Sequence, residues 1–514
     1  MGSYPAERRF KVDSVCIIGA GPSGLAAAKY LLAEHAFSRI QVYEQRSGVG
    51  GIWNYVPHES PSPHDVDIPQ TDSHAVADLP IWQQSDSTKV LGEQAQEDAV
   101  FMTPLYDRLE TNIPRGLMGF SDLDWPESCQ LFPRHEEVLE YIERYAEDVL
   151  HCIRSKTQVL DVRLTEDERW SVKTKDVQRE GGQENEDVYD AVVVANGHFN
   201  IPYIPQVSGI EDWSRAYPGA ISHSKFYRKP EQCAGKKVIV VGNSASGIDI
   251  GGQIQQFCQP PMLLSSKSES FLVNAASSTK VDKPPIAEYI VKDRSIRFED
   301  GTIESGVDAV LYCTGYFYSF PFLESLDPPL TTTGEKVKNL YQHIFYQPHP
   351  TLAFPVLNQK VIPFPLAEAQ SAVISRVFSG RLTLPLEDEM KAWERDWVKK
   401  NGDGRSFHVL KFPMDADYIN MLYQWSMSAD GEGEHVDGSQ TSVAKRRGRS
   451  PPYWGDREYW MRERFPAIKK AFQDLGEERH SKRTLQSVGF HYDAYSEHPD
   501  NAVPDESRRP ASRS

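Results

Sequence analysis

Two stretches of this 514-residue chain share one pattern, in which an apolar run ends in glycine and a helical pattern follows. The first run extends from Val15 to Gly19, with a helical pattern through Leu32. The second extends from Lys237 to Gly242, with a helical pattern to about Phe257. An apolar strand that turns through glycine into a helix begins a βαβ unit, from which parallel sheets are built. The sequence therefore predicts an α/β chain with two doubly wound domains.

Three further apolar runs, at 39–44, 190–195 and 308–313, are typical of the other strands that such domains need. The second domain is predicted to be inserted between the last two runs, which makes the first domain discontinuous. The predicted divisions are a first domain over 1–205, an inserted domain over 206–316, the remainder of the first domain over 317–427, a polar linker over 428–452, a C-terminal helical segment over 453–495 and a disordered tail over 496–514. Residues 58–100, rich in Pro, Asp, Ser and Gln, are predicted to form a surface insertion in the first domain.

The first glycine turn matches the GxGxxG fingerprint of a dinucleotide site. Its residues are Gly19, Ala20, Gly21, Pro22, Ser23 and Gly24. The first glycine permits the tight turn, the second lets a pyrophosphate approach the backbone, and the third allows the helix to pack on the strand. Glu44 follows 20 residues after Gly24, where a carboxylate accepts hydrogen bonds from ribose hydroxyls and repels a 2′-phosphate. These residues predict FAD or NAD here. The glycine-dense turn from Gly48 to Trp53 fits either backbone beside a flat ligand or a plain turn with a Trp in the core.

The second glycine turn repeats the fingerprint with serine in place of its middle glycine. Its residues are Gly242, Asn243, Ser244, Ala245, Ser246 and Gly247. The next apolar run ends near Ser265, Ser266 and Lys267, with hydroxyls and a cation but no acidic residue. This arrangement predicts NADP, because a cation and hydroxyl groups accommodate the 2′-phosphate. Lys267 as a solvated lysine is the alternative.

A chain that binds two dinucleotides, one of them NADPH, is predicted to transfer hydride to a bound flavin. The residues leave open whether the reduced flavin reduces a disulfide, passes electrons on or reacts with oxygen. A disulfide reductase needs a CxxC or CxxxxC pair, and the six cysteines form neither. Scattered cysteines favour reduced thiols in a cytoplasmic protein, and no metal site is predicted.

Charge and hydropathy exclude other classes of protein. The net charge of −17 argues against nucleic acid as a partner. Neither a signal peptide nor an apolar run of the roughly 20 residues that span a membrane is found, so no membrane association is predicted. The basic run at 445–449 lies among polar residues and is predicted to be a solvated loop.

The segment from Tyr217 to Arg228 resembles the FxGxxxHxxxY fingerprint of the flavin-containing monooxygenases, a group of class B flavoprotein monooxygenases. Gly219, His223 and Tyr227 match it, and Tyr217 replaces the usual Phe. Other resembling segments are 51–55, 105–114, 118–122, 313–316, 367–370 and 376–380, so that the resemblance extends from about residue 12 to residue 385. The chain departs from the family at 58–100 and at its C-terminus, where the membrane-bound members carry an apolar anchor.

The resemblance implies that NADPH reduces FAD and that the reduced flavin traps O2 as a C4a-hydroperoxide. One oxygen atom then passes to a nucleophilic nitrogen or sulfur of a small molecule. Asn112 is the implied catalytic residue, with its amide donating to the hydroperoxide region or to NADP⁺. The implied FAD-side contacts are Gly19, Ala20, Gly21, Pro22, Ser23, Gly24, Glu44, Gln45, Gly51, Ile52, Trp53, Thr111, Asn112, Ile113 and Gln370. The implied NADP-side contacts are Gly242, Asn243, Ser244, Ala245, Ser246, Gly247, Lys267 and His223.

Several alternatives stay open at this point. His223 either contacts a phosphate or orders the junction of the two domains, and Arg228 and Arg294 are further candidates for the NADP phosphate. A Baeyer–Villiger monooxygenase acting on a ketone is the competing enzyme, although Tyr227 stands where those enzymes usually carry Trp. A flavoprotein that only oxidises NADPH and forms hydrogen peroxide is the other alternative. The sequence leaves open whether the chain forms a homo-oligomer.

Overall fold

The computed structural model describes residues 10–57, 67–74, 80–84, 97–179, 181–268, 279–430 and 448–492. The strands are β1 Ser14–Ile18, β2 Arg39–Tyr43, β3 Ile81–Gln84, β4 Glu97–Val100, β5 Ile153–Arg154, β6 Thr157–Leu164, β7 Trp170–Asp176, β8 Glu184–Tyr189, β9 Ala191–Val194, β10 Ile201–Pro202, β11 Ile221–His223, β12 Val238–Val241, β13 Met262–Ser265, β14 Lys280–Lys283, β15 Ile286–Ile290, β16 Ser295–Phe298, β17 Ile303–Glu304, β18 Ala309–Tyr312, β19 Tyr316–Phe317, β20 Leu340–Tyr341, β21 Phe345–Tyr346 and β22 Leu352–Ala353. The α-helices are α1 Pro22–Glu34, α2 His135–Ala146, α3 Ile210–Ala216, α4 Ala245–Ile254, α5 Pro363–Phe378, α6 Glu387–Asn401, α7 Met414–Met427 and α8 Asp456–Asp474.

The larger sheet has seven strands in the order β20-β21-β22-β9-β1-β2-β5. Its centre is parallel, with β1 between β2 and β9. All five residues of β1 are buried, because helices α1 and α5 pack on one face of the sheet and a second apolar cluster covers the other. Parallel strands covered on both faces read as continuous apolar runs, which is why these strands were recognisable in the sequence. The chain enters this sheet before residue 20 and returns to it after residue 339, so the first domain is discontinuous.

The second sheet has five parallel strands in the order β11-β18-β12-β13-β14. Its members come from residues 221–283 and 309–312, which lie between β9 and β20 of the first sheet. Apolar side chains bury both of its faces. The chain therefore contains two nested Rossmann-like domains, as the two glycine turns predicted.

Two short antiparallel strands, β10 and β19, pair where the chain passes between the domains. Thr314 donates its hydroxyl to the carbonyl oxygen of Tyr203, and the N–H of Tyr203 donates to the carbonyl of Gly315 at 3.0 Å. The two connections are thus bonded to each other, and they leave and re-enter the first domain at one place.

The C-terminal helical segment packs on the first domain. Helix α8 contributes Trp460, Met461, Ile468 and Phe472 to the same apolar cluster as α1 and α5. The chain leading to it crosses α1, where the N–H of Gly448 donates to the carbonyl of Ala33 at 3.1 Å. Most of the predicted polar linker (431–447) and the whole predicted tail (496–514) lie outside the described residues.

The described part of the predicted surface insertion includes two buried residues, Gln70 and Ser73. Strands β3 and β4 pair with each other, while Gln70 pairs with Ile204 through two main-chain hydrogen bonds of 3.0 and 2.9 Å. Gln70 is 6% exposed and Ser73 is 3% exposed. Residues 67–74 are therefore part of the junction between the domains. Residues 58–66, 75–79 and 85–96 lie outside the described residues.

Candidate active site

The first glycine turn is held in its tight conformation by close contacts within the fold. Gly19 has φ of +99°, and a Cβ on it would lie 2.6 Å from the carbonyl oxygen of Ala195. A Cβ on Gly24 would lie 2.0 Å from the carbonyl oxygen of Gly19. Gly21 is different, because the nearest protein atom to such a Cβ is the Cα of Gly51 at 3.5 Å. Packing requires glycine at the first and third positions, whereas the second leaves space for a ligand.

The amino end of α1 presents its main-chain amides to that space. Gly21 is the N-cap residue, Pro22 occupies the first turn, and no side chain caps the helix. Uncapped N–H groups at a helix start are suited to bind a phosphate, since they carry the positive end of the helix dipole. Of the other predicted residues, Ala20 is buried and Ser23 is half-buried in the first turn. The turn fits the pyrophosphate of a dinucleotide.

Glu44 follows β2 directly and is bonded to the glycine turn. It is 3% exposed, and its Oε2 accepts a 2.8 Å hydrogen bond from the N–H of Ala20. Its Oε1 accepts a 2.8 Å bond from the N–H of Arg46. The next residue, Gln45, accepts from the side chain of Gln158 at 3.3 Å. Each carboxylate oxygen keeps a further acceptor position, which fits ribose hydroxyl groups.

The turn from Gly48 to Trp53 lies against the first glycine turn. The N–H of Gly50 donates to the carbonyl of Ala20 at 3.0 Å, and a Cβ on Gly51 would lie 3.0 Å from the Cα of Gly21. Gly51, Ile52 and Trp53 form a 3₁₀ turn that contacts α2. Two backbones in contact at this point support the prediction that this turn borders the same ligand.

The Asn112 segment (residues 109–113) is bonded to the chain at the start of α2. The N–H of His135 donates to the carbonyl of Leu109 at 3.2 Å, and the N–H of Thr111 donates to the carbonyl of Pro133 at 2.9 Å. The hydroxyl of Thr111 donates to the carbonyl of Ile113 at 2.9 Å. Asn112 is half-buried, and within the described ranges neither its N–H nor its side-chain amide makes a hydrogen bond. Its donors are therefore available to a ligand.

Tyr106, just before this segment, connects it to the second domain. Its hydroxyl donates to the carboxylate of Asp249 on α4, and its ring meets that of Tyr227 edge-on at 5.4 Å between centroids. Tyr227 donates its hydroxyl to Gln253, also on α4, at 3.2 Å. The segment that carries Asn112 thus lies between the two domains and is bonded to both.

Two residues of α5 lie behind the site with their polar groups turned into the protein. Gln370 is fully buried, accepts from the N–H of Val356 at 2.6 Å and donates to Asn358 at 3.0 Å. Glu368 accepts from the N–H and hydroxyl of Ser121 at 2.8 and 3.1 Å. Burial raises the pKa of Glu368 to about 7. Direct contact of the Gln370 side chain with FAD stays a prediction, because its amide is already engaged within the fold.

The second glycine turn repeats the contacts of the first. A Cβ on Gly242 would lie 2.7 Å from the carbonyl oxygen of Cys313, and one on Gly247 would lie 1.9 Å from the carbonyl oxygen of Gly242. Ser244 is the N-cap residue of α4 and, like Gly21, leaves the helix start without a side-chain cap. Ala245 and Ser246 are the first residues of that helix. The turn fits a second dinucleotide.

Lys267 lies where the sequence predicted it, two residues after the end of β13. Its side chain is exposed, and the side-chain amide of Asn243 donates to the carbonyl of Ser268 nearby. The loop after β13 is therefore bonded to the glycine turn after β12. This placement supports Lys267 as a phosphate contact, which stays a prediction.

His223 is completely buried at the junction of the domains. Its Nε2 lies 3.1 Å from the carbonyl oxygen of Gly315, and its Nδ1 accepts from the N–H of Lys225 at 3.1 Å. Burial lowers the pKa of His223 to about 3, so the ring is neutral. Both ring nitrogens are engaged with main chain, which supports the junction role over contact with a phosphate.

Two arginines proposed for the NADP phosphate are placed elsewhere. Arg228 is 2% exposed and its Nη1 donates to the carbonyls of Leu105, Lys225 and Tyr227 at 2.8–3.0 Å, so it joins two segments of the junction. Arg294 pairs at 3.0 Å with Asp308, which precedes β18. That places Arg294 at the amino edge of the second sheet, whereas the glycine turn lies at the carboxyl edge, roughly 13 Å along a four-residue strand. This placement argues against Arg294 as a contact of the NADP phosphate.

A charged cluster that the sequence did not predict lies beneath the Asn112 segment. Glu110 lies near Lys469 and Arg479 of the C-terminal segment, with Asp249 on the side of the second domain. No spacing relates positions 110, 249 and 469, so only the fold reveals the cluster. The C-terminal segment thereby contacts the candidate site.

Comparison with known proteins identifies the family. The description "Flavin-binding monooxygenase-like" matches residues 90–283 and 275–430, and "NAD(P)-binding Rossmann-like domain" matches residues 17–76. Flavin-containing monooxygenase FMO GS-OX3 of Arabidopsis thaliana is 30% identical over 512 residues, which are 95% of this chain and 98% of that protein. Flavin-containing monooxygenase FMO GS-OX5 of the same plant is 32% identical over 470 residues, covering 88% and 94%.

Solved structures agree with these matches. The S-allyl-L-cysteine S-oxygenase of Allium sativum superposes with a TM-score of 0.70 at 27% identity, covering 92% of this chain and 96% of that one. Tmm from a Pelagibacter strain shares the fold, with a TM-score of 0.64 at 21% identity, covering 89% and 91%. Among the residues that the structure describes, no helix has the length and apolar character to cross a bilayer. With FAD and NADP as its cofactors, the chain belongs to the flavin-containing monooxygenase family.

Proposed function

We propose that the protein uses NADPH and O2 to add one oxygen atom to a nucleophilic nitrogen or sulfur of a small molecule. In the balanced reaction, NADPH, a proton, O2 and substrate give NADP⁺, water and the oxygenated substrate. Bound FAD, once NADPH has reduced the flavin, supplies the chemistry that activates O2. The residues of this chain hold the two nucleotides, orient them and keep water from the reacting atoms.

One observation carries this proposal. Within the described part of the chain, neither the main-chain N–H nor the side-chain amide of Asn112 makes a hydrogen bond. The segment that carries Asn112 is bonded to the start of α2, on the FAD side, and through Tyr106 to α4, on the NADP side. A donor between the two nucleotide sites is suited to hydrogen-bond an oxygen atom or the nicotinamide amide and to keep them in register. An enzyme that only passes electrons on needs no such donor.

One similar solved structure supports sulfur as the atom that receives oxygen. The S-allyl-L-cysteine S-oxygenase of Allium sativum shares 27% identity over most of both chains.

We also propose a cytoplasmic location, which all six cysteines support, because every one is buried and unpaired.

The test is oxygen transfer by the purified holoenzyme under ¹⁸O2 with NADPH. Methyl phenyl sulfide, N,N-dimethylaniline and cyclohexanone are supplied separately, and NADPH, product and hydrogen peroxide are all quantified. We expect one ¹⁸O atom in the sulfoxide or the N-oxide and about one product per NADPH. A labelled lactone from cyclohexanone would instead identify a Baeyer–Villiger enzyme. Peroxide equal to the NADPH consumed, with no labelled product, would identify an oxidase.

A further inference from the structure

A lysine of the C-terminal segment lies buried directly beneath the Asn112 segment. Lys469 on α8 is 5% exposed, and its Nζ donates a 2.8 Å hydrogen bond to the carbonyl oxygen of Thr111. The ring of Phe132 lies 4.6 Å from the same ammonium group. Buried lysines are rare because desolvation of the charge is costly, and burial lowers the pKa of Lys469.

The nearest carboxylate does not take the short bond of this ammonium group. Oε2 of Glu110 lies 3.8 Å from Nζ of Lys469, whereas Nε of Arg479 lies 3.3 Å from both oxygens of Glu110. His480 is a further neighbour, with Nδ1 at 3.3 Å from Oε1 of Glu110. Arg479 and His480 thus engage Glu110, and Lys469 gives its shortest bond to main chain.

This bond fixes the orientation of one peptide group. In a planar trans peptide the C=O and the following N–H point in opposite directions. With the carbonyl of Thr111 held toward α8, the N–H of Asn112 points away from α8. Neither that N–H nor the side-chain amide of Asn112 is bonded to a described residue. The peptide is therefore held through its carbonyl on the side of α8, while its N–H points to the other side.

The same cluster extends to the second domain. Asp249 on α4 accepts from the hydroxyl of Tyr106 and from Gln253 at 3.1 Å. Burial raises the pKa of Asp249, and the positive charge of Lys469 opposes that rise. Removing the ammonium group would thus loosen the Asn112 segment. It would also remove a positive charge that stabilises the ionised carboxylate of Asp249.

We propose that Lys469 is a positioning residue, which fixes the Thr111–Asn112 peptide and so aims the donors of Asn112 at the reacting groups. The inference rests on the proposed function for its catalytic consequence. Its structural part, the restraint of one peptide by one lysine, is independent of that function.

The experiment compares Lys469→Met with Lys470→Met in the full-length, FAD-loaded enzyme. Methionine is similar in length but cannot donate, whereas Lys470 pairs with Asp474 within α8 and serves as the matched control. Three quantities are measured: deuterium exchange of peptides covering residues 109–118, hydrogen peroxide formed per NADPH, and bound FAD with the melting temperature. For Lys469→Met we expect about tenfold faster exchange at the N–H of Thr111, which donates to the carbonyl of Pro133, and several-fold more peroxide per NADPH, with FAD content retained. Lys470→Met should match the wild type.

Wild-type exchange and wild-type peroxide yield in Lys469→Met would overturn the inference, as would equal effects of the two variants. If Lys469→Met does not fold, Lys469→Gln replaces it, because its shorter neutral amide does not reach the carbonyl. Exchange at the N–H of Thr111 must then rise as well, and wild-type exchange in that variant overturns the inference. If the wild type oxygenates nothing, the proposed function fails, while the exchange measurement still decides the role of Lys469.

Discussion

The main-chain N–H of Ala20 donates a 2.8 Å hydrogen bond to Oε2 of Glu44. The acidic residue that follows β2 is therefore bonded directly to the turn that follows β1. Because Oε1 accepts from Arg46 at 2.8 Å, one carboxylate fixes two main-chain groups at the edge of the sheet where a dinucleotide binds. Glu44 shapes the glycine turn before any ligand is present.

Replacing Glu44 should therefore affect both the fold and FAD binding. In Glu44→Ala the buried N–H of Ala20 and the part-buried N–H of Arg46 lose their acceptor, and a buried unsatisfied group costs about 1–3 kcal/mol of stability. We expect a lower melting temperature of the FAD-free protein and weaker FAD binding, measured by thermal unfolding and by flavin titration. Glu166→Ala, at an exposed position, is the control. Unchanged melting and unchanged FAD affinity in Glu44→Ala would contradict this role.

The glycines of the first turn should separate into two classes. Gly24→Ala places a Cβ 2.0 Å from the carbonyl oxygen of Gly19, so we expect loss of the folded protein. Gly21→Ala meets no protein atom closer than 3.5 Å, so the protein should fold with a melting temperature near that of the wild type. Its methyl group would occupy the space for the pyrophosphate and should weaken FAD retention at least tenfold. Absorbance near 450 nm after gel filtration, with circular dichroism for the fold, distinguishes the two. A Gly21→Ala protein with full flavin content refutes the assignment of this space to FAD.

Lys267 and Arg294 provide a matched pair for the 2′-phosphate. Lys267 is exposed beside the second glycine turn, while Arg294 lies at the opposite edge of that sheet, paired with Asp308. A charge-assisted bond contributes about 1.4 kcal/mol, which corresponds to a factor of ten. We expect Lys267→Ala to raise the KM for NADPH about tenfold without changing that for NADH. Arg294→Ala should change neither constant. Equal changes for both nucleotides in Lys267→Ala would remove it from the phosphate site.

The strands around both glycine turns were predictable to within one residue. Val15 to Ile18 and Val238 to Val240 are buried, and glycine marks the point where each strand must turn. Strand burial and the glycine turn depend on neighbouring residues, so a short stretch of sequence is enough to predict them. The placement of Arg294 was not predictable in that way, since it depends on which edge of the sheet a loop joins. Asp308, which directly precedes β18, was the one available signal. A residue that pairs with Asp308 must lie at the amino edge of the sheet.

The connection of the C-terminal segment to the site was not predictable at all. The bond between Lys469 and Thr111 joins residues 358 positions apart, and Lys469 lies outside every segment that resembles the family. A similar reason explains Arg449, which the sequence analysis placed in a solvated loop. Arg449 is half-buried and pairs with Asp122. Such contacts follow from packing of whole elements, which no local spacing encodes.

Glu368 should make the stability of the protein depend on pH. Its pKa rises from the usual value of a Glu in the unfolded chain to about 7 in the folded protein, chiefly because the side chain is buried. A raised folded pKa means that the folded state binds the extra proton, so this contribution is complete below the unfolded pKa and is lost as the pH rises through about 7. The free-energy difference is about 3 kcal/mol.

Glu368→Gln removes this titration while keeping the shape of the side chain. We expect the variant to gain stability relative to the wild type between pH 5 and pH 8, measured as the difference between their urea midpoints at each pH. Gln keeps an oxygen that can accept from the N–H of Ser121. A difference that stays constant over this range would show that Glu368 does not titrate there.

Asn112→Asp tests the side-chain donor of the candidate catalytic residue most directly. Aspartate has the same shape as asparagine, but its ionised carboxylate has no donor. The neighbouring bonds of Thr111 to Pro133 and Ile113 involve other groups, so the segment should keep its conformation and the enzyme its FAD. Loss of one well-placed donor typically costs a factor of about 100–1,000 in rate. We expect product formed per NADPH to fall at least tenfold while NADPH oxidation continues and hydrogen peroxide replaces product. Asn401→Asp, on α6, should leave the ratio unchanged. If Asn112→Asp couples NADPH to product as the wild type does, the side-chain donor of Asn112 takes no part in oxygen transfer.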